Sequence, residues 1–221
     1  MLCIVATPIG NLEDISLRAI RTLKTCAFVV AENPTYSKRL LEHIGAWPKE
    51  MVQFAEFNEQ QVVKELARRL LKNYGCLITD AGTPGISDPG FRLVRECIKE
   101  NVAVVPVPGA SAAITALCAS GLPTDKFLFL GFLQKTAVKT LSALQSAADA
   151  EATAIFYESP ERITKTLSYI ANAFPASQVV AARELTKIHE EFIRGSAGEV
   201  LSKLKERPSI KGEFTVLVSF K

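Results

Sequence analysis

The sequence predicts an α/β fold: two α/β domains, each with a mostly parallel sheet covered by helices. Three observations carry that expectation. Short apolar, β-branched runs alternate with helix-period segments from the second residue onward. Several of those runs lead into a glycine- and proline-bearing loop and then a helix, which is the grammar of parallel βα units. The chain has 221 residues, enough for one large domain or two small ones with cores of their own.

Leu2–Thr7 reads as the first strand, broken by Pro8, Gly10 and Asn11. Ser16 stands where it can cap a helix in which Leu17, Ile20 and Leu23 share a face. Ala27–Ala31 is a second strand, Ser37–Gly45 a short helix ended by glycine, and Met51–Ala55 a third strand. Asn58, with Gln61 three residues on, has the form of a capping box. The helix it opens carries Val62, Leu66, Leu70 and Tyr74 as one stripe, and Gly75 stops it. Cys76–Thr79 is the next strand. Asp88 and Pro89 read as the N-cap and first turn of a helix reaching Lys99. Val102–Val107 is a strand, Pro108-Gly109 a turn, and Ala110–Ser120 a helix of small residues.

The rhythm restarts after Gly121-Leu122-Pro123, which marks a boundary between domains over 1–119 and 120–221. Phe127–Phe132, Ala152–Tyr157 and Gln178–Arg183 read as strands, with helices near 136–148, 160–173 and 197–206. Glu213–Phe220 alternates in polarity and reads as an edge or antiparallel strand. Neither a low-complexity segment nor a fixed-period repeat is present.

Composition narrows the function. Apolar residues make up 48% and charged residues 22%, the balance of an ordinary globular protein. The net charge of +3 is spread evenly over the two halves, so an avid, non-specific nucleic-acid binder is disfavoured. Five cysteines without CxxC spacing point to a reducing compartment. No apolar stretch approaches the roughly 20 residues of a membrane helix. The expectation is a cytoplasmic protein with no membrane partner.

Ligands of parallel sheets bind at the carboxyl ends of the strands. Three loops there share one form: Ala6-Thr7-Pro8-Ile9-Gly10, the loop from Asp80 to Gly90, and Pro106-Val107-Pro108-Gly109-Ala110-Ser111. Glycine permits close approach of a ligand to backbone, and a helix start behind it offers free N–H groups. Neither GxGxxG nor GxxxxGK[ST] is present, which disfavours a standard dinucleotide or P-loop site. Gly109-Ala110-Ser111-Ala112-Ala113 has the outline of a nucleophile elbow, but its last glycine is Ala113; a helix cap explains Ser111 as well. His189-Glu190-Glu191-Phe192-Ile193 lacks the second histidine of a zinc motif, and no metal site is expected. Arg183, Glu184 and Lys187 follow a predicted strand, where a site and a solvated loop are equal readings.

The runs Val5–Asp14, Thr79–Gly90, Pro108–Ala112, Ser120–Asp125, Phe156–Pro160 and Ala182–Lys187 resemble, in the same order, those of the ribosomal RNA small subunit methyltransferase I family. That family is a branch of the tetrapyrrole methylase superfamily, and the resemblance covers nearly the whole chain. It implies two α/β domains with S-adenosylmethionine in the cleft between them, usually in a homodimer. It implies methyl transfer to a ribose 2′-oxygen of a cytidine in 16S rRNA, making the small ribosomal subunit the partner. It further implies cofactor contacts from Pro8, Asp80, Ala81, Gly82, Thr83, Ile86, Ser111, Ala112, Tyr157, Ala182, Arg183 and Glu184.

The chain departs from the family pattern in three places. Ala31-Glu32-Asn33-Pro34-Thr35 stands where the family commonly reads Ala-Glu-Asp-Thr-Arg, Gln134-Lys135-Thr136 follows Gly131-Phe132-Leu133 where Pro-Arg-Lys is usual, and the chain ends with its last predicted strand. All three concern the RNA side. A ribose hydroxyl is a weak nucleophile, so a proton acceptor is expected, with Asp80, Glu184 and Glu32 as candidates and Lys187 or Arg183 to hold a phosphate or steer the hydroxyl. Lys38, Arg39, Lys135, Lys139 and Arg162 are candidates for phosphate contact. Two competing readings stand beside this one: a methyltransferase of the same fold acting on a small molecule such as a tetrapyrrole, and a non-catalytic RNA-binding or assembly protein.

Overall fold

The computed structural model describes residues 1–47 and 49–220. The chain divides into two compact units, Met1–Ser111 and Ala112–Lys221.

The first unit is built on β1 (Leu2–Val5), β2 (Phe28–Ala31), β3 (Glu50–Gln53), β4 (Gly75–Ile78) and β5 (Val104–Val107). They lie in the order β3-β2-β4-β1-β5, and every neighbouring pair is parallel. The helices are α1 (Leu17–Thr25), α2 (Pro34–His43), α3 (Glu59–Lys72) and α4 (Phe91–Lys99). Side chains alternate across the sheet. Cys3, Val5 and Val29 pack with Leu23 of α1 and Leu41 of α2. Leu2, Phe28 and Leu77 pack with Leu70 of α3 and Leu93 of α4 on the other face. Burial on both faces explains why these strands read as continuous apolar runs.

Helix ends show where local signals were overruled. Ser16 caps α1 as expected, accepting the Ala19 N–H at 3.1 Å. α2 starts earlier than expected: Asn33 Oδ1 accepts from the N–H groups of Thr35 and Tyr36, and Pro34 fills the first turn. The capping box expected at Asn58 is absent, because its side chain accepts from Ala55 N–H and donates to the Gln53 carbonyl. Asp88 and Pro89 do not open α4, which begins at Phe91 after Gly90. α3 ends at Lys72, while Gly75 is the first residue of β4. A Cβ there would lie 2.8 Å from Leu70 Cδ2 and 2.9 Å from Phe28 Cζ, so helix and sheet meet over its backbone.

The second unit runs α5 (Ala112–Ser120), β6 (Phe127–Phe132), α6 (Ala137–Asp149), β7 (Thr153–Glu158), α7 (Ile163–Ala173), β8 (Gln178–Arg183), β9 (Glu191–Ser196), α8 (Ala197–Lys205) and β10 (Phe214–Ser219). Its sheet has the order β6-β7-β10-β8-β9. Here the expectation of a mostly parallel sheet is corrected. β6 and β7 are parallel, whereas β7–β10, β10–β8 and β8–β9 are antiparallel. A loop too short for a crossover joins β8 to β9, so that pair is a hairpin. β10 is antiparallel as expected but central, and it is buried along its whole length. One face of the sheet packs against α6, α7 and α8, and α5 touches β7, β8 and β10. Those contacts place α5 with the second unit, so the units divide before this helix, whereas the Gly-Leu-Pro turn follows it.

Candidate active site

Parallel β1, β2, β4 and β5 bring the loops that follow them to one rim of the first sheet. Backbone hydrogen bonds knit them. The Thr7 N–H donates to the Gly82 carbonyl at 2.8 Å and the Gly82 N–H returns to Thr7 at 3.1 Å. The Thr7 hydroxyl donates to the Thr79 carbonyl at 3.2 Å, and the Thr83 hydroxyl to the Ala110 carbonyl at 3.0 Å. Gly82 holds φ +76°, a conformation other residues adopt at a cost. A Cβ on Gly109 would lie 3.0 Å from the Ala6 Cβ. Pro8, Asp80, Ala81, Gly82, Thr83 and Ser111 are thus parts of one hydrogen-bonded or chain-linked rim, with Ile86 exposed farther along the same loop.

Carboxyl groups concentrate at this rim. Glu32 follows β2 and accepts the Asp80 N–H at 3.3 Å. The Asp80 Oδ1 is buried and has no hydrogen-bond partner among the described residues. Burial, and then the neighbouring Glu32, hold the Asp80 carboxyl above the usual range. Sequence reasoning missed Asp88, reading it as a helix cap. Burial first, then Glu32 and Asp80, push its carboxyl up to about 6, against a hydrogen bond with Thr79. Glu32 and Asp88 also line a cavity of about 310 Å³ together with Glu56, Glu59 and Arg92.

The remaining candidates belong to the second unit. Ala112 opens α5. Tyr157 of β7 and the buried Ala182 of β8 both pair with Thr215 of β10, so they occupy one row of the sheet. Arg183, at the end of β8, is tied to Glu191 at 2.9 Å and to the Lys211 carbonyl. Glu184 has φ +51° and Thr186 φ +64°. A clamp holds that loop: the Lys187 ammonium donates to Glu184 at 3.0 Å and to Glu213 at 2.8 Å, and the Glu213 N–H donates to Glu184 at 3.0 Å. Burial raises the Glu184 carboxyl, but the Glu213 N–H and Lys187 outweigh it and hold it below the usual range. Glu184 and Lys187 are engaged with each other, and a carboxyl held low is a poor proton acceptor.

An all-parallel unit with a glycine-loop rim, followed by a mostly antiparallel α/β unit, is an architecture shared with known methyltransferases. Solved structures similar to this chain include diphthine synthase (TM-score 0.76, 15% identity, 99% of this chain and 89% of that one). The methyltransferase CobJ is another (TM-score 0.70, 15% identity, 99% and 93%). The chain belongs to the tetrapyrrole (corrin/porphyrin) methylase family, whose model matches residues 1–201, and within it to the ribosomal RNA small subunit methyltransferase I family. It is 46% identical to ribosomal RNA small subunit methyltransferase I of Halalkalibacterium halodurans, over 98% of this chain and 75% of that protein. It is 42% identical to the Hydrogenobaculum sp. protein of that name, over 99% of this chain and 95% of the relative.

Proposed function

We propose that this chain transfers a methyl group from S-adenosylmethionine to the ribose 2′-oxygen of a cytidine in small-subunit rRNA. The names of relatives more than 40% identical over nearly the whole chain support the rRNA substrate. The rim fits the cofactor: its backbone is open for close approach at Gly82, and clustered carboxyls complement a ligand carrying a cationic sulfonium and an ammonium group. Pro8, Ala81, Gly82, Thr83, Ile86 and Ser111 hold it in the first unit. The assignment of Ala112, Tyr157, Ala182, Arg183 and Glu184 to the same ligand rests on the family motifs. When bound, S-adenosylmethionine supplies a methyl group already activated for transfer.

The chain's task is then to place the ribose and take its proton. The observation that carries this part is the buried, unpartnered Oδ1 of Asp80 beside Glu32. A carboxyl held above its ordinary range is a better base near neutral pH than an exposed one, and positioned proton acceptors contribute about 10²–10⁴-fold. Asp80 accepts the hydroxyl proton, and Glu32 holds the Asp80 backbone. The same reading makes the protein a cytoplasmic homodimer.

Methyl transfer from labelled S-adenosylmethionine to small subunits from cells lacking the gene tests the reading. Label on a ribose is expected, and D80N should lower kcat about 100-fold or more. Label confined to a base would refute the ribose assignment, and cofactor binding with no labelled rRNA would refute the rRNA substrate and favour a small molecule.

A further inference from the structure

The second unit carries an aromatic surface that cofactor binding leaves unexplained. β6 is an edge strand paired to β7, and their register slips between Phe129 and Phe132. Gly131 takes φ +60° at the slip. Regular alternation would set Gly131 opposite Tyr157; the extra residue sets Phe132 there instead, on the same face as Phe127 and Phe129. The Phe129 and Phe132 rings both meet Tyr157 edge-on, at 5.1 and 5.5 Å. Phe132 nonetheless stays 61% exposed. The chain just beyond it is pinned, because Arg162 donates to the Leu133 carbonyl at 2.8 Å and Thr140 to the Gln134 carbonyl at 2.7 Å. A large aromatic ring is thus held rigidly toward water, at the cost of leaving its area unburied.

The surroundings say what it meets. Lys135 and Lys139 are exposed, and neither forms an ion pair among the described residues. α6, on whose first turn Lys139 sits, has no acidic residue there, and the Thr136 side chain makes no cap hydrogen bond. Positive charge and open N–H groups beside a fixed ring suit a single strand of RNA, whose bases stack on aromatics while its phosphates take the cations. Arg162, by contrast, is spent on Leu133, Gln134 and Glu158.

We propose that Phe132 is the stacking platform for an unstacked nucleobase of the substrate RNA, with Lys135, Lys139 and the start of α6 holding the adjoining phosphodiesters. This rests on the rRNA reading given above. The test compares wild type, F132A, F132L and F132W in methyl transfer to small subunits, with S-adenosylmethionine affinity by calorimetry and oligomeric state by light scattering. F132A and F132L should raise KM for subunits about 10-fold or more, F132W should restore it, and cofactor affinity should hold. K135A/K139A should reduce the slope of log affinity against log salt by about 1–2. Unchanged KM in F132A, wild-type behaviour of F132L, or dissociation of a dimer in F132A would each overturn the platform. Failure of the wild type to methylate subunits would instead refute the rRNA reading itself.

Discussion

Asp88 shows how one residue's environment sets its chemistry. Its carboxyl is pushed up to about 6 from an ordinary 3.8, by burial first and by Glu32 and Asp80 after it. The folded state therefore holds this proton more tightly than the unfolded chain. Its contribution to stability is full below about pH 4 and is lost as pH rises through about 6. D88N removes the charge and keeps the shape. The variant should gain about 1–2 kcal/mol on wild type at pH 8, a figure discounted for partial solvation, and nothing at pH 4. Urea unfolding at both values measures it; a gain of equal size at both would show that the carboxyl is not raised. Asp80 and Glu32 were legible in the sequence because each follows an apolar run at a strand's carboxyl end. Asp88 was not, since Asp-Pro before a helical stretch is the same signal whether or not the aspartate caps. Only the packing that desolvates it separates the two cases.

Elements depend on a few polar anchors that pattern reading does not register. Glu158, at the end of β7, is 2% exposed. It accepts from the Ser159 N–H at 2.9 Å and the Thr166 hydroxyl at 2.6 Å, and it pairs with Arg162 at 3.4 Å. It thereby fixes the entry into α7, whose N-cap residue, Arg162, makes no side-chain cap bond of its own. E158A leaves the Thr166 hydroxyl without its acceptor and removes the ion pair with Arg162, and should cost about 2–4 kcal/mol, read by chemical denaturation. A cost below about 0.5 kcal/mol would mean water replaces the anchor. The strands of the first unit were readable because burial on both faces leaves an unbroken apolar run. β9 was not, because Glu191 and Arg194 confine its apolar run to Phe192 and Ile193, and the strand is stabilised by its hairpin partner and by the Arg207 and Arg183 contacts to Glu191. The parallel sense expected of the second sheet failed for a related reason: strand direction is set by connections and partners, which local patterns do not contain.

At the scale of the whole molecule, ligand binding couples to folding. S-adenosylmethionine at about 100 times its Kd should stabilise the protein by about 2.7 kcal/mol. G82V places a β-branched residue at φ +76°, which costs roughly 1–2 kcal/mol and would block the close approach to backbone proposed for the ligand. Its melting temperature should be lower and should not respond to the cofactor; a full ligand-induced rise in G82V would move the pocket elsewhere. The placement of β10 has a separate consequence. It lies between β7 and β8 although it is the last strand in the sequence, and β6–β7 and β8–β9 meet through it. The second sheet cannot close until residues 214–219 are available, because β7 and β8 are joined only through β10. The first sheet is complete a hundred residues earlier. Before β10 joins, the edges of β7 and β8 that it covers are unpaired, and unpaired edges are where a partly folded chain is exposed to aggregation.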